Sequence, residues 1–166
     1  ANVDTSREFG ISIIKVENTE QLQSALQTEF PKCDVLIMAA AVSDAKPIPA
    51  TGKVKKQSYN KLDLVPTPDL LADIAKQKNS QILVGFAAEE SANLLQEGKR
   101  KLAAKSLDFI YANDIASGSI FGSDTTSGLI ISAREDEIEE IHQISKDSLA
   151  TRLLNKVSER LNSPNV

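Results

Sequence analysis

The feature that most constrains the fold is the apolar run DVLIMAAAV, residues 34–42, which leads into Ser43 and Asp44. A short apolar run that ends in small residues and a carboxylate predicts a buried strand, and open α/β sheets bind ligands where such strands end. The lysine-rich segment KVKK, residues 53–56, follows closely. Lysines near a strand end favour a phosphate-bearing ligand, although such a run is equally typical of solvated surface.

Strand-like and helix-like patterns alternate along the chain. Strands are expected at residues 11–16, 34–41, 62–65, 82–88 and 109–112, with an antiparallel pair at 128–132 and 139–144. Helices are expected after Asn18, after Thr67, over residues 91–105, and at the chain end, where Leu149, Leu153, Val157 and Leu161 recur four residues apart. This order predicts an α/β fold: a doubly wound, mostly parallel, Rossmann-like sheet with a small antiparallel extension near residues 128–144.

Two helix starts predict finer detail. Asn18 is expected to cap the first helix, which would join the strands at 11–16 and 34–41 into a parallel βαβ unit. For the second helix, the order Thr67, Pro68, Asp69 predicts a capping hydroxyl, a proline at the first helical position and an acid in the first turn. Both helices are expected to pack against the sheet.

Three of the expected strands end in small or polar residues. These endings are residues 40–44, 85–89 and 112–114. Because the carboxyl ends of parallel strands lie at one edge of a sheet, the three segments are expected to meet in one crevice although they are far apart in sequence.

Composition limits the classes of function. With 166 residues, of which 41% are hydrophobic, the chain is expected to form one domain over residues 1–166. A net charge of −4 argues against nucleic acid as the main partner, because that function needs a broad basic face. No apolar run approaches the roughly 20 residues that span a membrane, and the single cysteine, Cys33, excludes a disulfide framework. The cytoplasm is the expected location.

Other chemistries are weaker interpretations. The lone His142 lacks a histidine partner for a metal, and Cys33 is more typical of a packed residue than of a nucleophile. Glu89 and Glu90 suit either a carboxylate site or the acidic start of a helix, and residues 113–114 suit ordinary turn chemistry. Neither the dinucleotide-binding glycine fingerprint nor the P-loop motif occurs.

The short motifs of the chain together carry a specific resemblance. They are AAAVSD at 39–44, KVKK at 53–56, PTPDLL at 66–71, GFAAE at 85–89, the lysines at 101 and 105, and AND at 112–114. In order and spacing they resemble the phosphopantothenoylcysteine synthetases, the ligase half of the bacterial bifunctional coenzyme A biosynthesis flavoprotein. The resemblance implies that CTP activates the carboxylate of 4′-phosphopantothenate as an acyl-CMP, with loss of pyrophosphate. The amine of L-cysteine then displaces CMP.

The resemblance also implies roles for individual residues. Lys53 would be the catalytic residue, acting on the reacting phosphate and acyl group, and Asn113 would contact the substrate. Mg²⁺ would accompany CTP, whereas FMN would belong to the decarboxylase half, which this chain does not contain. The expected nucleotide-binding residues are Ala40, Ala41, Asp44, Lys53, Pro68, Asp69, Leu70, Leu71, Phe86, Lys101 and Lys105.

One departure from the family concerns the front of the chain. The asparagine-, serine- and glycine-containing segment that serves the acyl phosphate in the family has no match before Ile11. The ligase domain is therefore expected to be incomplete at its N-terminus, and residues 1–166 alone to bind CTP without efficient turnover. The family also suggests a homodimer that uses the strands near residues 128–144.

Two other classes of function remain open. A regulatory nucleotide-binding module of Rossmann type would use the same lysines for affinity only. An oxidoreductase that binds a dinucleotide is disfavoured by the missing glycine fingerprint.

Overall fold

The computed structural model describes residues 10–49, 52, 62–116, 123–134 and 137–163. None of the helices in these segments combines the length and the apolar character that crossing a lipid bilayer requires. The strands are β1 (Val35–Met38), β2 (Ala45–Pro47), β3 (Leu64–Pro66), β4 (Ile82–Glu89), β5 (Phe109–Asp114), β6 (Thr125–Ser132) and β7 (Ile138–Ser145). The helices are α1 (Thr19–Glu29), α2 (Leu70–Ala75), α3 (Leu94–Ala104) and α4 (Lys146–Asn162), with single 3₁₀ turns at Phe30–Lys32 and Ser91–Asn93.

Within the described segments, five strands form the main sheet in the order β1-β4-β5-β6-β7. β1, β4 and β5 run parallel, and β6 and β7 continue the sheet as an antiparallel hairpin. β2 and β3 form a separate antiparallel ribbon. The predicted fold class, an α/β sheet with a small antiparallel extension, is confirmed.

Alternating side chains of the sheet supply two apolar cores, one on each face. Leu83, Ile110 and Ile131 belong to the core that also holds residues of α2 and α3 and the end of α1. Val84 and Tyr111 belong to the core beneath α4. This division follows from the period of two along a strand, which sends neighbouring residues to opposite faces. The leucine and valine stripe predicted for the last helix is buried over its first three members, Leu149, Leu153 and Val157.

The strand expected at residues 11–16 does not form. Ile11, Ile13 and Ile14 are 59%, 40% and 52% exposed, and α1 therefore does not join two strands of a βαβ unit. β-branched side chains stabilise a strand only where a neighbouring strand and a buried face receive them, and this segment has neither among the described residues. The parallel crossovers are instead β1-α2-β4 and β4-α3-β5.

The two predicted helix caps have different outcomes. Asn18 caps α1 as expected, since its side chain accepts a hydrogen bond from the backbone of Gln21. The prediction for α2 is wrong by two residues: Asp69, not Thr67, is the cap, and its side chain accepts from the backbone of Ala72. The Thr67 hydroxyl instead donates to the backbone oxygen of Ser43. A threonine hydroxyl can either cap a helix or bond to a backbone group elsewhere in the fold, and Thr67 does the second.

Gly98 lies in the middle of α3, where glycine costs on the order of 1 kcal/mol relative to alanine. The sheet explains its presence. A β-carbon at this position would come within 2.6 Å of Ile131 Cδ1 and 3.3 Å of the Ala112 β-carbon. Glycine thus lets α3 pack closely on β5 and β6, and this close packing brings the lysines of α3 to the end of β4.

Candidate active site

The carboxyl ends of β1, β4 and β5 lie at one edge of the main sheet, as their parallel order requires. The described residues form two cavities at this edge, one on each face of the sheet. The polar cavity lies on the face covered by α2 and α3, and the apolar cavity lies on the face covered by α4. Open α/β sheets commonly bind their ligands at such an edge.

The polar cavity has a volume of about 250 Å³. It is bounded by the end of β1 and the loop beyond it, the start of α2, the end of β4, and α3. Each described residue that the resemblance assigned to nucleotide binding lines this cavity. They are Ala40, Ala41, Asp44, Pro68, Asp69, Leu70, Leu71, Phe86, Lys101 and Lys105.

Two lysines of the polar cavity are held by carboxylates of other elements. The Lys101 ammonium group binds the Glu89 carboxylate at the end of β4, and Lys105 Nζ lies 2.9 Å from Asp69 Oδ2. The side chains of Lys105 and Asp69 are 30% and 48% exposed, so this ion pair is open to solvent. A phosphate that enters the cavity can therefore reach the Lys105 ammonium group.

The Asp69 carboxylate both caps α2 and binds Lys105. Its Oδ1 accepts a hydrogen bond from the Ala72 backbone at 3.1 Å. Burial raises the pKa of Asp69, but the hydrogen bonds from Lys105 and Ala72 outweigh burial and hold this pKa below its ordinary value. The carboxylate is therefore ionised at neutral pH, and the ion pair with Lys105 is present there.

Asp44 is held beside the start of α2 by Thr67, whose backbone N–H donates to the Asp44 carbonyl oxygen at 2.9 Å. The Asp44 side chain is exposed and lines the polar cavity. No cluster of three or more histidine, cysteine, aspartate or glutamate side chains suited to a metal occurs in the described part of the chain. Asp44 is an exposed carboxylate, which is the type of ligand that hard divalent cations prefer.

Lys53, the residue expected to act on the reacting phosphate, lies outside the described residues, as do Lys55 and Lys56. Its role stays a prediction from the sequence. The described elements that flank this segment in sequence are β2 and β3, and an ion pair between Lys46 and Glu20 links their ribbon to α1.

The apolar cavity has a volume of about 410 Å³ and contains Asn113, the expected substrate contact. The ends of β1, β4 and β5 all line this cavity, so the three strand ends meet in one crevice as expected, although Asn113 does not line the polar cavity. Buried side chains connect Asn113 to the core: the Tyr111 hydroxyl lies 2.7 Å from Thr126 Oγ1, which donates to Asn113 Oδ1 at 2.8 Å. Ala40, Ala41 and residues 86–88 line both cavities.

Sequence reasoning missed several residues of the apolar cavity, notably Tyr111, Thr126 and Lys146. Thr126 reaches this edge because β6 runs antiparallel to β5, so its amino end lies beside the carboxyl end of β5. Lys146 reaches it because β7 returns to the same edge, where α4 begins. The predicted antiparallel pair could have indicated these residues. A hairpin beside a parallel strand begins and ends at the edge of the sheet where that strand ends.

The family model of the DNA/pantothenate metabolism flavoprotein C-terminal domain matches residues 1–161. The chain belongs to this family. The resemblance found in the motifs is thereby confirmed.

Several curated relatives carry the name coenzyme A biosynthesis bifunctional protein CoaBC. The protein from Borreliella burgdorferi is 36% identical over 149 residues, which are 87% of this chain and 37% of the relative. The protein from Bacillus subtilis is 34% identical over 148 residues, 87% of this chain and 36% of the relative. This flavoprotein C-terminal domain thus spans little more than a third of the length of these relatives.

Solved structures share the fold. The crystal structure of the C-terminal domain of a CoaBC protein has a TM-score of 0.74 at 24% identity, over 95% of this chain and 69% of that one. A Cab2 mutant, H337A, in complex with phosphopantothenate-cysteine has a TM-score of 0.64 at 15% identity, over 85% of this chain and 51% of that one.

Proposed function

We propose that this flavoprotein C-terminal domain carries the nucleotide site of a phosphopantothenoylcysteine synthetase, which uses CTP to join 4′-phosphopantothenate to L-cysteine in coenzyme A biosynthesis. The observation that carries the proposal is the meeting of ten expected residues from separate segments in one polar cavity that holds two lysines. The names of the relatives point to the same pathway.

The reaction determines what the cavity must do. In the first step a carboxylate oxygen of 4′-phosphopantothenate attacks the α-phosphorus of CTP, and the bond to pyrophosphate breaks. In the second step the amine of cysteine attacks the acyl carbon, the bond to CMP breaks, and the nitrogen loses a proton. Because both first-step reactants are anions, the catalyst must neutralise charge and hold them together, and it needs no protein nucleophile.

The lysines meet this requirement. Lys101 and Lys105 would bind the triphosphate, and Lys105 would do so in place of its present partner, Asp69. Lys53 would approach the α-phosphate, where negative charge develops, and would act chiefly in the transition state. Magnesium, when bound with CTP, would neutralise phosphate charge. Asp44, whose exposed carboxylate suits a hard cation, would hold the metal or the ribose.

Two partners follow from the same proposal. FMN would belong to a decarboxylase half in a bifunctional parent, as the names of the relatives suggest. A homodimer would use the β6–β7 hairpin, whose outer strand β7 ends the described sheet. Sedimentation analysis of the full-length protein at several concentrations tests the dimer, and a mass of one protomer throughout would contradict it.

The test of the reaction is pyrophosphate release from CTP by the full-length protein that contains this chain. We expect release to require 4′-phosphopantothenate, and CMP release to require cysteine as well. The absence of carboxylate-dependent pyrophosphate release would contradict the ligase function.

Replacing Lys53 separates the ligase from a regulatory nucleotide-binding module. In a ligase, Lys53→Gln lowers pyrophosphate release by orders of magnitude while CTP affinity falls only modestly, since the lysine acts mainly in the transition state. In a regulatory module only the affinity changes. Lys76→Gln is a suitable control, because Lys76 pairs with Asp73 on α2 and does not line the cavity.

A further inference from the structure

We infer that Glu89 is a positioning residue of the nucleotide site: its carboxylate holds the Lys101 ammonium group at the polar cavity and does not itself contact the nucleotide. This inference rests on the proposed function, which it deepens by giving a role to a residue outside the cavity wall. Lys101 lines the polar cavity, whereas Glu89 is not among the described residues that line it. An effect of Glu89 on the ligand would therefore pass through its ion pair with Lys101.

The sheet fixes the position of Glu89. It is the last residue of β4, and alternation along the strand places it on the same face as Leu83 and Ala87, which belong to the core shared with α2 and α3. Its backbone carbonyl oxygen accepts a hydrogen bond from the Ile115 N–H, just beyond β5, at 2.9 Å. The Glu89 side chain therefore extends from a fixed backbone on the face that α3 covers.

Burial distinguishes this ion pair from that of the other cavity lysine. The side chains of Glu89 and Lys101 are 16% and 32% exposed, whereas those of Asp69 and Lys105 are 48% and 30% exposed. Because solvent screens a less exposed pair less, Glu89 holds its lysine more firmly than Asp69 does. An ammonium group has three donors, so Lys101 can keep its bond to Glu89 while it donates to a phosphate.

Two opposing effects decide what Glu89 does for binding. A lysine side chain loses rotamer freedom when it binds a ligand, and a carboxylate that already restricts the side chain reduces this loss. The negative charge of the carboxylate would also repel a phosphate. Since Glu89 is paired with Lys101 and does not line the cavity, orientation outweighs repulsion, and Glu89 strengthens nucleotide binding.

A double-mutant cycle in the full-length protein tests the inference by calorimetric titration with CTP. Glu89→Gln removes the charge and keeps the size of the side chain, and we expect it to raise the CTP dissociation constant by about 2- to 12-fold. Lys101→Gln should raise the constant by about 10- to 150-fold. Because Glu89 acts only through the lysine, the double variant should bind CTP within about twofold of Lys101→Gln.

Glu97→Gln is the matched control for a loss of negative charge near the site. Glu97 lies one turn before Lys101 on α3, but it forms its ion pair with Arg100, at 2.8 Å, and does not line the polar cavity. The control should leave CTP affinity within about twofold of the wild type. Urea unfolding of each variant measures stability separately, since a carboxylate that only fastens α3 to β4 would change stability without any coupling to Lys101 in CTP binding.

The inference is overturned if the wild type does not bind CTP, if Glu89→Gln binds CTP as tightly as the wild type or more tightly, or if the effects of the two substitutions simply add. If Glu89→Gln does not fold, Glu89→Asp takes its place in the cycle with the same expectations, because it withdraws the carboxylate by one methylene group.

Pyrophosphate release by the wild type reports on the proposed function separately. Coupling between Glu89 and Lys101 in CTP binding, without carboxylate-dependent pyrophosphate release, would support the inference and contradict the ligase function. Pyrophosphate release together with additive effects of the two substitutions would support the ligase function and overturn the inference.

Discussion

Lys105→Gln should weaken CTP binding strongly while it changes protein stability little. The variant removes the ammonium group that lies 2.9 Å from Asp69 Oδ2. Because the two side chains are 30% and 48% exposed, solvent screens the pair, and its loss should cost less than about 1 kcal/mol of unfolding free energy. Asp69 keeps its hydrogen bond from Ala72, so α2 retains its cap.

The cost to binding is larger because a lysine–phosphate contact is a charge-assisted hydrogen bond. Such bonds contribute about 1.5–3 kcal/mol, which corresponds to a rise in the CTP dissociation constant of about 10- to 150-fold. Calorimetric titration with CTP gives the free energy of binding, and urea unfolding of the same protein gives the free energy of unfolding. The weakening should also decrease as salt concentration rises, since the lost interaction is electrostatic.

Lys76→Gln is the matched control for this prediction. Lys76 forms an ion pair with Asp73 at 2.6 Å, as Lys105 does with Asp69, but it does not line the polar cavity. The control should leave CTP affinity unchanged. The reasoning fails if Lys105→Gln binds CTP within about twofold of the wild type, or if the control weakens CTP as much as Lys105→Gln does.

The same site and its scaffold give three further predictions. Because the pKa of Asp69 is lowered, its ion pair with Lys105 stabilises the fold above the ordinary pKa of 3.8, and this stabilisation is lost as pH falls through the lowered pKa. The difference in unfolding free energy between wild type and Lys105→Gln should therefore be constant from pH 7 to about pH 5 and shrink below about pH 4. Gly128→Ala would place a β-carbon 2.1 Å from the Ala112 carbonyl oxygen, so urea unfolding should show a loss of at least about 3 kcal/mol, and a loss below about 1 kcal/mol would contradict the close approach of β5 and β6. Phe86→Ala removes a ring that lines the polar cavity, so it should raise the CTP dissociation constant in calorimetric titration, and an unchanged constant would contradict a contact between this ring and the nucleotide.

The sequence predicted the strand ends well because local patterns determine them. The apolar run that contains β1 stops at small residues, and parallel order alone brings its end beside that of β4. The segment at residues 11–16 has the same local pattern, yet it forms no strand, because pairing and burial are properties of the surrounding structure. The start of α2 differed from the prediction for a related reason, since Thr67 bonds to Ser43, far away in sequence.

The ion-pair partners of the two cavity lysines could not be predicted from the sequence. Spacing placed Lys101 and Lys105 on one face of a helix, but their partners, Glu89 and Asp69, come from two other elements. These partners hold two like charges beside the polar cavity, where the lysines would otherwise repel each other or extend into solvent. Because the side chains of Lys105 and Asp69 are 30% and 48% exposed, their ion pair contributes about 1 kcal/mol or less, whereas a lysine–phosphate bond contributes about 1.5–3 kcal/mol. A phosphate can therefore displace the Asp69 carboxylate with a net gain. The carboxylates thus orient the lysines, and Asp69 is a weak enough partner for a phosphate group to replace it.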